Sequence, residues 1–279
     1  MADVIYIQSG TAKLCLSVKG EGERLLFIGG TGWDLRKPAG PLNSPLLRQF
    51  QVALYDQRGQ GRSDKPPAPY TMLDYANDAI AVADALEWDH FHLVGYSFGG
   101  MVAQEVAIRH PNRIDRLVLA ASTPGGKGGA SFPVEQLLDL SPVDRAREGL
   151  LIADKRFADQ LSHDPETAVN RIKSRAAAQT QFIDEPGARE GLHAQLGARS
   201  QHDCYERLDQ ISAPTLVLAG ESDGQAPLDA QMRMAEQIPS ASYMTLPGPH
   251  DFLFEDDTAY GVIADFLDTG DHKKSISAE

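Results

Sequence analysis

The strongest constraint on how this chain can fold is a rhythm of short apolar runs bounded by turn residues: Leu25–Ile28, Val52–Tyr55, Phe91–Val94, Leu117–Ala121 and Leu216–Ala219. Runs this short, this apolar and this regularly closed read as strands buried on both faces. Helical patterns lie between them. The clearest covers Thr71 to Glu87, where Leu73, Ala76, Ile80, Ala83 and Leu86 share one face and Thr71 with Asp74 supplies a capping signal. Strands alternating with helices predict an α/β fold with a mostly parallel central sheet flanked by helices. The rhythm stops after Ala121. From Thr123 to Gln210 the chain is polar and helix-prone, and the strand pattern resumes at Ala213-Pro214-Thr215-Leu216. The reading is therefore a core formed by 1–122 and 211–279, interrupted by a helical cap at 123–210. Pro124 and the glycines from Gly125 to Gly129 would form a flexible hinge at the entrance of that cap. The polar stretch from Thr269 to Glu279 reads as a frayed tail.

Composition narrows what such a core can bind. Hydrophobic residues make up 42% of the 279, enough to build a full core, which excludes disordered and fibrous classes. Against 39 acidic residues stand 26 Lys and Arg, and the net charge of -13 repels phosphate backbones and anionic membranes, so no nucleic-acid partner is expected. Met1-Ala2-Asp3-Val4-Ile5 lacks a basic segment followed by a long apolar one, and no run approaches the roughly 18 residues that span a bilayer, so no membrane partner is expected either. The two cysteines, Cys15 and Cys204, lie far apart and suggest neither a disulfide framework nor a metal site. A reduced, cytoplasmic setting fits this pattern, and no metal or cofactor is expected.

One segment carries chemistry: Gly95-Tyr96-Ser97-Phe98-Gly99-Gly100 follows the strand Phe91–Val94 and opens a helical stretch. A turn this tight brings the flanking positions into collision, which glycines relieve, and it presents the serine oxygen at the carboxyl end of the strands. A serine hydroxyl attacks poorly at neutral pH until a base takes its proton, and a carboxylate must hold that base in place. Of eight histidines, His250 stands on a loop after the run Tyr243–Leu246, at a carboxyl strand end. His90, His92, His110, His163, His193, His202 and His272 read as surface or packing residues. Asp223 in Gly220-Glu221-Ser222-Asp223-Gly224 follows the strand Leu216–Ala219, with Glu221 as its competitor on the same loop. Charge developing on a carbonyl oxygen needs N–H donors, for which Phe98 and Thr31 are the expected backbone sources. Thr31 belongs to Gly29-Gly30-Thr31-Gly32-Trp33 after the first apolar run, whose Gly30 and Trp33 are expected to touch substrate. That glycine loop is not a phosphate loop, because neither G-K-[ST] nor G-x-G-x-x-G is complete.

With these parts assembled, the sequence resembles the α/β-hydrolase superfamily. Tyr55-Asp56-Gln57-Arg58-Gly59-Gln60-Gly61-Arg62-Ser63-Asp64 is similar to its D-x-R-G-x-G-x-S loop, and Ile211 to Asp223 is similar to its acid-bearing segment. The resemblance implies Ser97 as nucleophile, Asp223 as orienting acid and His250 as base, with Asp56 and Arg58 holding a turn. Gly29-Gly30 replaces the family's usual His-Gly. The nearest subgroup looks like the lactonases and esterases that include 3-oxoadipate enol-lactonases. Aspartate at the elbow, typical of epoxide hydrolases and haloalkane dehalogenases, is replaced by Ser97. Carbon–carbon bond hydrolases often place tryptophan after the histidine, where this chain has Asp251.

The expected activity is hydrolysis of a small-molecule ester or lactone through an acyl-enzyme. A carbon–carbon hydrolase, lyase or perhydrolase on the same residues, and a non-catalytic small-molecule receptor, are the alternatives. Eight arginines of the cap (Arg145, Arg147, Arg156, Arg171, Arg175, Arg189, Arg199 and Arg207) compete as partners for a substrate carboxylate, and Trp33, Phe98, Phe132, Phe157 and Phe182 as apolar lining.

Overall fold

The structure, a computed structural model, describes residues 4–37 and 40–268, so the predicted tail Thr269–Glu279, with His272, lies outside the described residues. Eight strands form one sheet: β1 Ile5–Ser9, β2 Ala12–Lys19, β3 Glu23–Ile28, β4 Phe50–Asp56, β5 Phe91–Tyr96, β6 Ile114–Ala120, β7 Thr215–Gly220 and β8 Ala241–Leu246. Their spatial order is β1-β2-β4-β3-β5-β6-β7-β8. From β4 to β8 every pairing is parallel, and β1 and β2 add an antiparallel edge. All the predicted strands are present. The β1–β2 hairpin was not predicted, because as an edge it leaves Ile5 and Tyr6 exposed and shows no continuous apolar run.

Among the described residues there are eight α-helices: α1 Met72–Ala85, α2 Phe98–Arg109, α3 Pro142–Ala153, α4 Phe157–His163, α5 Pro165–Thr180, α6 Ala188–Ser200, α7 Leu228–Gln237 and α8 Thr258–Leu267. Alternate strand residues feed two cores. Leu26, Ile28, Leu93 and Leu119 pack with α1, α2 and α7, whereas Leu25, Phe27, Val94 and Val118 pack with α8 on the other face. The capping box of Thr71 and Asp74 forms as predicted. Of the predicted face, Ala76 and Ala83 are buried and Ile80 and Leu86 pack against the same core, but Leu73 is 44% exposed, and Met72, Tyr75, Ala79 and Val82 widen the inward face on the other side. Two aromatic contacts, Tyr75 against Phe98 and against Tyr70, bring Tyr75 inward where Leu73 was expected.

Between β6 and β7 lie α3 to α6. The glycine segment before them is no loose hinge. Gly125 donates to the Gly129 carbonyl at 3.2 Å, Cys204 N donates to the Pro124 carbonyl at 3.0 Å, and a Cβ on Gly125 would sit 2.0 Å from the His202 carbonyl. The chain thus leaves and re-enters the sheet through one hydrogen-bonded stem. No helix among the described residues is long and apolar enough to cross a membrane.

Candidate active site

The strand order creates the site. The chain passes from β3 to β4 on one side and then to β5 on the other, which opens a crevice at the carboxyl ends of β3 and β5. The Gly29–Trp33 loop and the turn at Ser97 meet there: a Cβ on Gly30 would lie 3.0 Å from the Tyr96 ring and 3.4 Å from Ser97 Cβ. Ser97 holds φ 54° and ψ -117°, a left-handed conformation that costs on the order of 1–3 kcal/mol for a residue with a side chain. Its neighbours enforce it. A Cβ on Gly99 would lie 2.0 Å from the Ile28 carbonyl, and one on Gly95 would lie 2.4 Å from that of Gly99. The backbone N–H groups of Phe98, next to Ser97, and of Thr31, in the same cavity wall, have no acceptor among the described residues, and that of Phe98 opens α2, at the positive end of its dipole.

Three side chains predicted from separate loops come together. Ser97 Oγ lies 3.0 Å from His250 Nε2, and His250 Nδ1 lies 2.9 Å from Asp223 Oδ2. All three are buried, and Asp223 is fully so. The other Asp223 oxygen accepts from the backbone N–H groups of Gln225 and Ala226 at 2.8 Å each, so three hydrogen bonds hold this carboxylate in place. Its competitor Glu221 points to solvent. A carboxylate on Nδ1 fixes the tautomer that leaves Nε2 free to accept the serine proton.

The sequence reading gave no role in the site to Gln225, Tyr96, Asp251 or Phe254, and gave Arg175 only as one of eight candidate partners for a substrate carboxylate. Gln225 places its amide Nε2 2.8 Å from His250 Nε2, so two donors compete for a single imidazole lone pair. Tyr96 donates to Asp251 at 2.5 Å, and Arg175 of α5 donates to the other Asp251 oxygen at 2.9 Å. Burial opposes ionisation of Asp251, yet the charges of Arg175 and His250 and the Tyr96 hydroxyl hold its carboxyl below the usual range. Burial and Asp251 push the Tyr96 phenol well up. Phe254 packs edge-on against Tyr96. Gln225, Tyr96, Asp251 and Phe254 carried no sequence signal beyond standing near the three already chosen, and nothing set Arg175 apart from the other arginines of its segment.

Above Ser97 opens a cavity of about 370 Å³, within the usual range for small-molecule sites. The predicted Gly30 and Trp33 line it, as does Phe182, together with Val134, Leu138, Leu192 and Leu196 from the inserted segment. Phe98 and Phe157 instead fill cores, and Phe132 is not in the wall. Asp56 accepts from the N–H groups of Leu35 and Arg62, Arg58 grips Asp78 through two bonds, and Gln57 donates to the Gly29 carbonyl at 2.9 Å. The Asp56–Asp64 loop therefore braces the Gly29–Trp33 loop, and burial pushes the Asp56 carboxyl up to about 6. His92 is buried against Glu23 at 2.8 Å, and among the described residues no three His, Cys, Asp or Glu side chains form a group that could hold a metal ion.

Comparison with known proteins agrees with this architecture. The chain is 34% identical over 233 residues to a 2-hydroxymuconate semialdehyde hydrolase of Pseudomonas putida, covering 80% of this chain and 78% of that one. It is 29% identical to a protein assigned as a carbamate hydrolase, RutD, of Variovorax paradoxus (strain S110), covering 81% and 84% respectively. The enol-lactonase of Burkholderia xenovorans LB400 superposes with a TM-score of 0.76 at 22% identity, covering 94% of this chain and 99% of that one. A family model described as alpha/beta hydrolase fold matches residues 23–257, and the chain belongs to that family.

Proposed function

We propose that this hydrolase cleaves a small-molecule carboxylic ester or lactone through an acyl-enzyme formed on Ser97. Ser97 Oγ attacks the carbonyl carbon as its proton passes to His250 Nε2, and Asp223 stabilises the imidazolium through Nδ1. The oxyanion accepts from the backbone N–H groups of Thr31 and Phe98. His250 then delivers the proton to the leaving oxygen, and water, deprotonated by the same nitrogen, releases the acid. The observation that carries this reading is the pair of contacts at 3.0 and 2.9 Å opening onto a 370 Å³ cavity beside two unused N–H donors. We read residues 123–210 as a cap over a core of 1–122 and 211–279, because α3, α5 and α6 contribute to the cavity wall. Two buried free thiols, Cys15 and Cys204, support a reducing, cytoplasmic setting.

The test is the mass of intact protein after brief exposure to a fluorophosphonate, run beside hydrolysis of short-chain 4-nitrophenyl esters. One adduct is expected on the wild type, none on Ser97→Ala, with turnover falling at least about 10⁴-fold in Ser97→Ala and His250→Ala. A folded wild-type protein that takes no label refutes the acyl-enzyme. Cleavage of a carbon–carbon bond beside a ketone is the second reading, favoured by the relative at 34% identity, and a panel of vinylogous diketones run on the same variants separates it from the first.

A further inference from the structure

The eight arginines of the inserted segment are sorted by their partners. Seven have a carboxylate within 4.0 Å: Arg147 with Glu148, Arg156 and Arg171 with Asp154, Arg175 with Asp251, Arg189 with Asp184, Arg199 with Glu135 and Arg207 with Glu105. Arg145 has none among the described residues. It is partly buried in the cavity wall, and its one side-chain bond is from Nε to the neutral Gln179 amide oxygen at 3.3 Å. Nor does its helix favour it there. Arg145 lies in the first turn of α3, where the dipole is positive and a cation is disfavoured. Desolvation and the charge of Arg189 push its guanidinium below the ordinary arginine range, and no acid offsets them. In a chain carrying a net charge of -13, an unbalanced guanidinium turned into a cavity is placed against the trend of the whole molecule.

The rest of the wall is unbalanced in the same direction. The buried side-chain atoms of cavity-lining residues that lack a partner among the described residues are Trp33 Nε1, Gln60 Nε2 and Arg175 Nε, and every one is a donor. The carboxylates there, Asp34, Glu185 and Asp251, are engaged by Arg36 or Arg175. Gly149, one helical turn after Arg145, also faces the cavity, and its missing side chain leaves room beside Arg175 Nε, which a Cβ would approach to 3.5 Å. Of the other cations there, Lys37 donates to the Gly32 carbonyl and Lys65 to those of Gly61 and Ser63, so with Arg145 three positive charges of the wall have no carboxylate partner among the described residues. A wall with spare donors and spare positive charge, Arg145 alone of the three lying in the inserted segment, is complementary to a ligand rich in acceptor oxygens and carrying negative charge.

We propose that the substrate carries a carboxylate remote from the bond cleaved, and that Arg145 binds it. This rests on the reading of Ser97 as the site of attack, since it names the class of ester that reaches it: a half-ester of a dicarboxylic acid, or a lactone bearing a free acid.

The test is equilibrium binding to Ser97→Ala, which needs no turnover and so fails separately from the hydrolase reading. Monomethyl esters of four- to eight-carbon dicarboxylic acids are titrated calorimetrically beside the methyl esters of the matching monocarboxylic acids. One chain length is expected to bind about tenfold tighter than its uncharged counterpart, with a preference that shrinks as salt is added. Adding Arg145→Gln removes the preference and leaves the neutral ester's affinity within about twofold, while Arg145→Lys keeps part of it. The proposal is overturned if no chain length prefers the charged ligand, if the preference survives Arg145→Gln, or if that substitution weakens both ligands equally.

Discussion

The floor and the roof of the cavity are built on different principles. In the floor, position is set by backbone. Gly99 lies against the Ile28 carbonyl, Gly220 against that of Pro249, and each would place a Cβ within 2.2 Å of its neighbour. The strands behind them belong to two large, fully buried cores. In the roof, α3, α4 and α5 share a cluster of Ala146, Leu150, Phe157, Ala168, Ile172 and Ala176, half of it alanine, and position is set by helix caps at Ser141 and Asp164 and by arginine ion pairs. Ser97, Asp223 and His250 thus rest largely on close backbone contacts, whereas the cavity wall above them rests on side chains that can be exchanged one at a time.

That contrast can be tested with one kind of substitution on both sides. Gly99→Ala is expected to lower stability by at least about 2 kcal/mol in urea denaturation, since a methyl group there forces β3 and α2 apart. Little or no loss would show the floor to be more compliant than these contacts imply. The stem of the roof titrates. Burial pushes His202 down to about 4, below the 6.5 of an exposed histidine, so the stability it lends through its neutral form is complete near pH 7 and is lost as pH falls from 6.5 towards 4. The stability difference between the wild type and His202→Gln should therefore shrink by about 1–2 kcal/mol between pH 7 and pH 5. A difference independent of pH would mean that His202 is not held neutral.

Smaller effects follow. Gln225 and Ser97 compete for His250 Nε2. Releasing one hydrogen bond worth about 1 kcal/mol predicts fluorophosphonate labelling up to about fivefold faster in Gln225→Leu; slower labelling would make the amide a support of the base rather than a rival of the serine. Gly197 in α6 has nothing within 4 Å of a built Cβ. Gly197→Ala should raise stability by about 0.5–1 kcal/mol in thermal melts, the opposite sign to Gly99→Ala.

The same division decided what could be read without coordinates. The predicted strands, the turn at Ser97, and the loops bearing Asp223 and His250 were legible because glycine spacing and apolar runs are consequences of backbone packing, and packing constrains sequence locally. The inward face of α1 was legible at Ala76 and Ala83 but misread at Leu73, because Leu73 and Tyr75 both suit a core, and only the rings of Tyr70 and Phe98 select between them. Arg145 could not be told from seven other arginines, since charge pairing depends on approach between elements far apart in the chain. Gln225 and Asp251 stood beside residues already chosen, yet nothing about their type announced a contact with His250 or Tyr96.

The seam between roof and floor has a further consequence. The His250 N–H donates to the Ala153 carbonyl at the end of α3, and the Lys155 N–H donates to that of Ser222, one residue before Asp223, both at 2.9 Å. Displacing the roof along this edge would drag the histidine and the aspartate out of register. Other joins are the Gly32 N–H donating to Gln195 at 2.9 Å, the close approach of Gly191 to the Gly59 carbonyl and, at the outer edge, the ion pair of Arg36 with Glu185 and the stacking of that guanidinium on Phe182. Glu185 is 40% exposed, and such a pair is worth only about 0–1 kcal/mol. The inserted segment is thus fastened to the sheet at two edges of unequal strength: backbone hydrogen bonds tie it to the loops of His250 and Asp223, and partly exposed side chains tie it at Phe182.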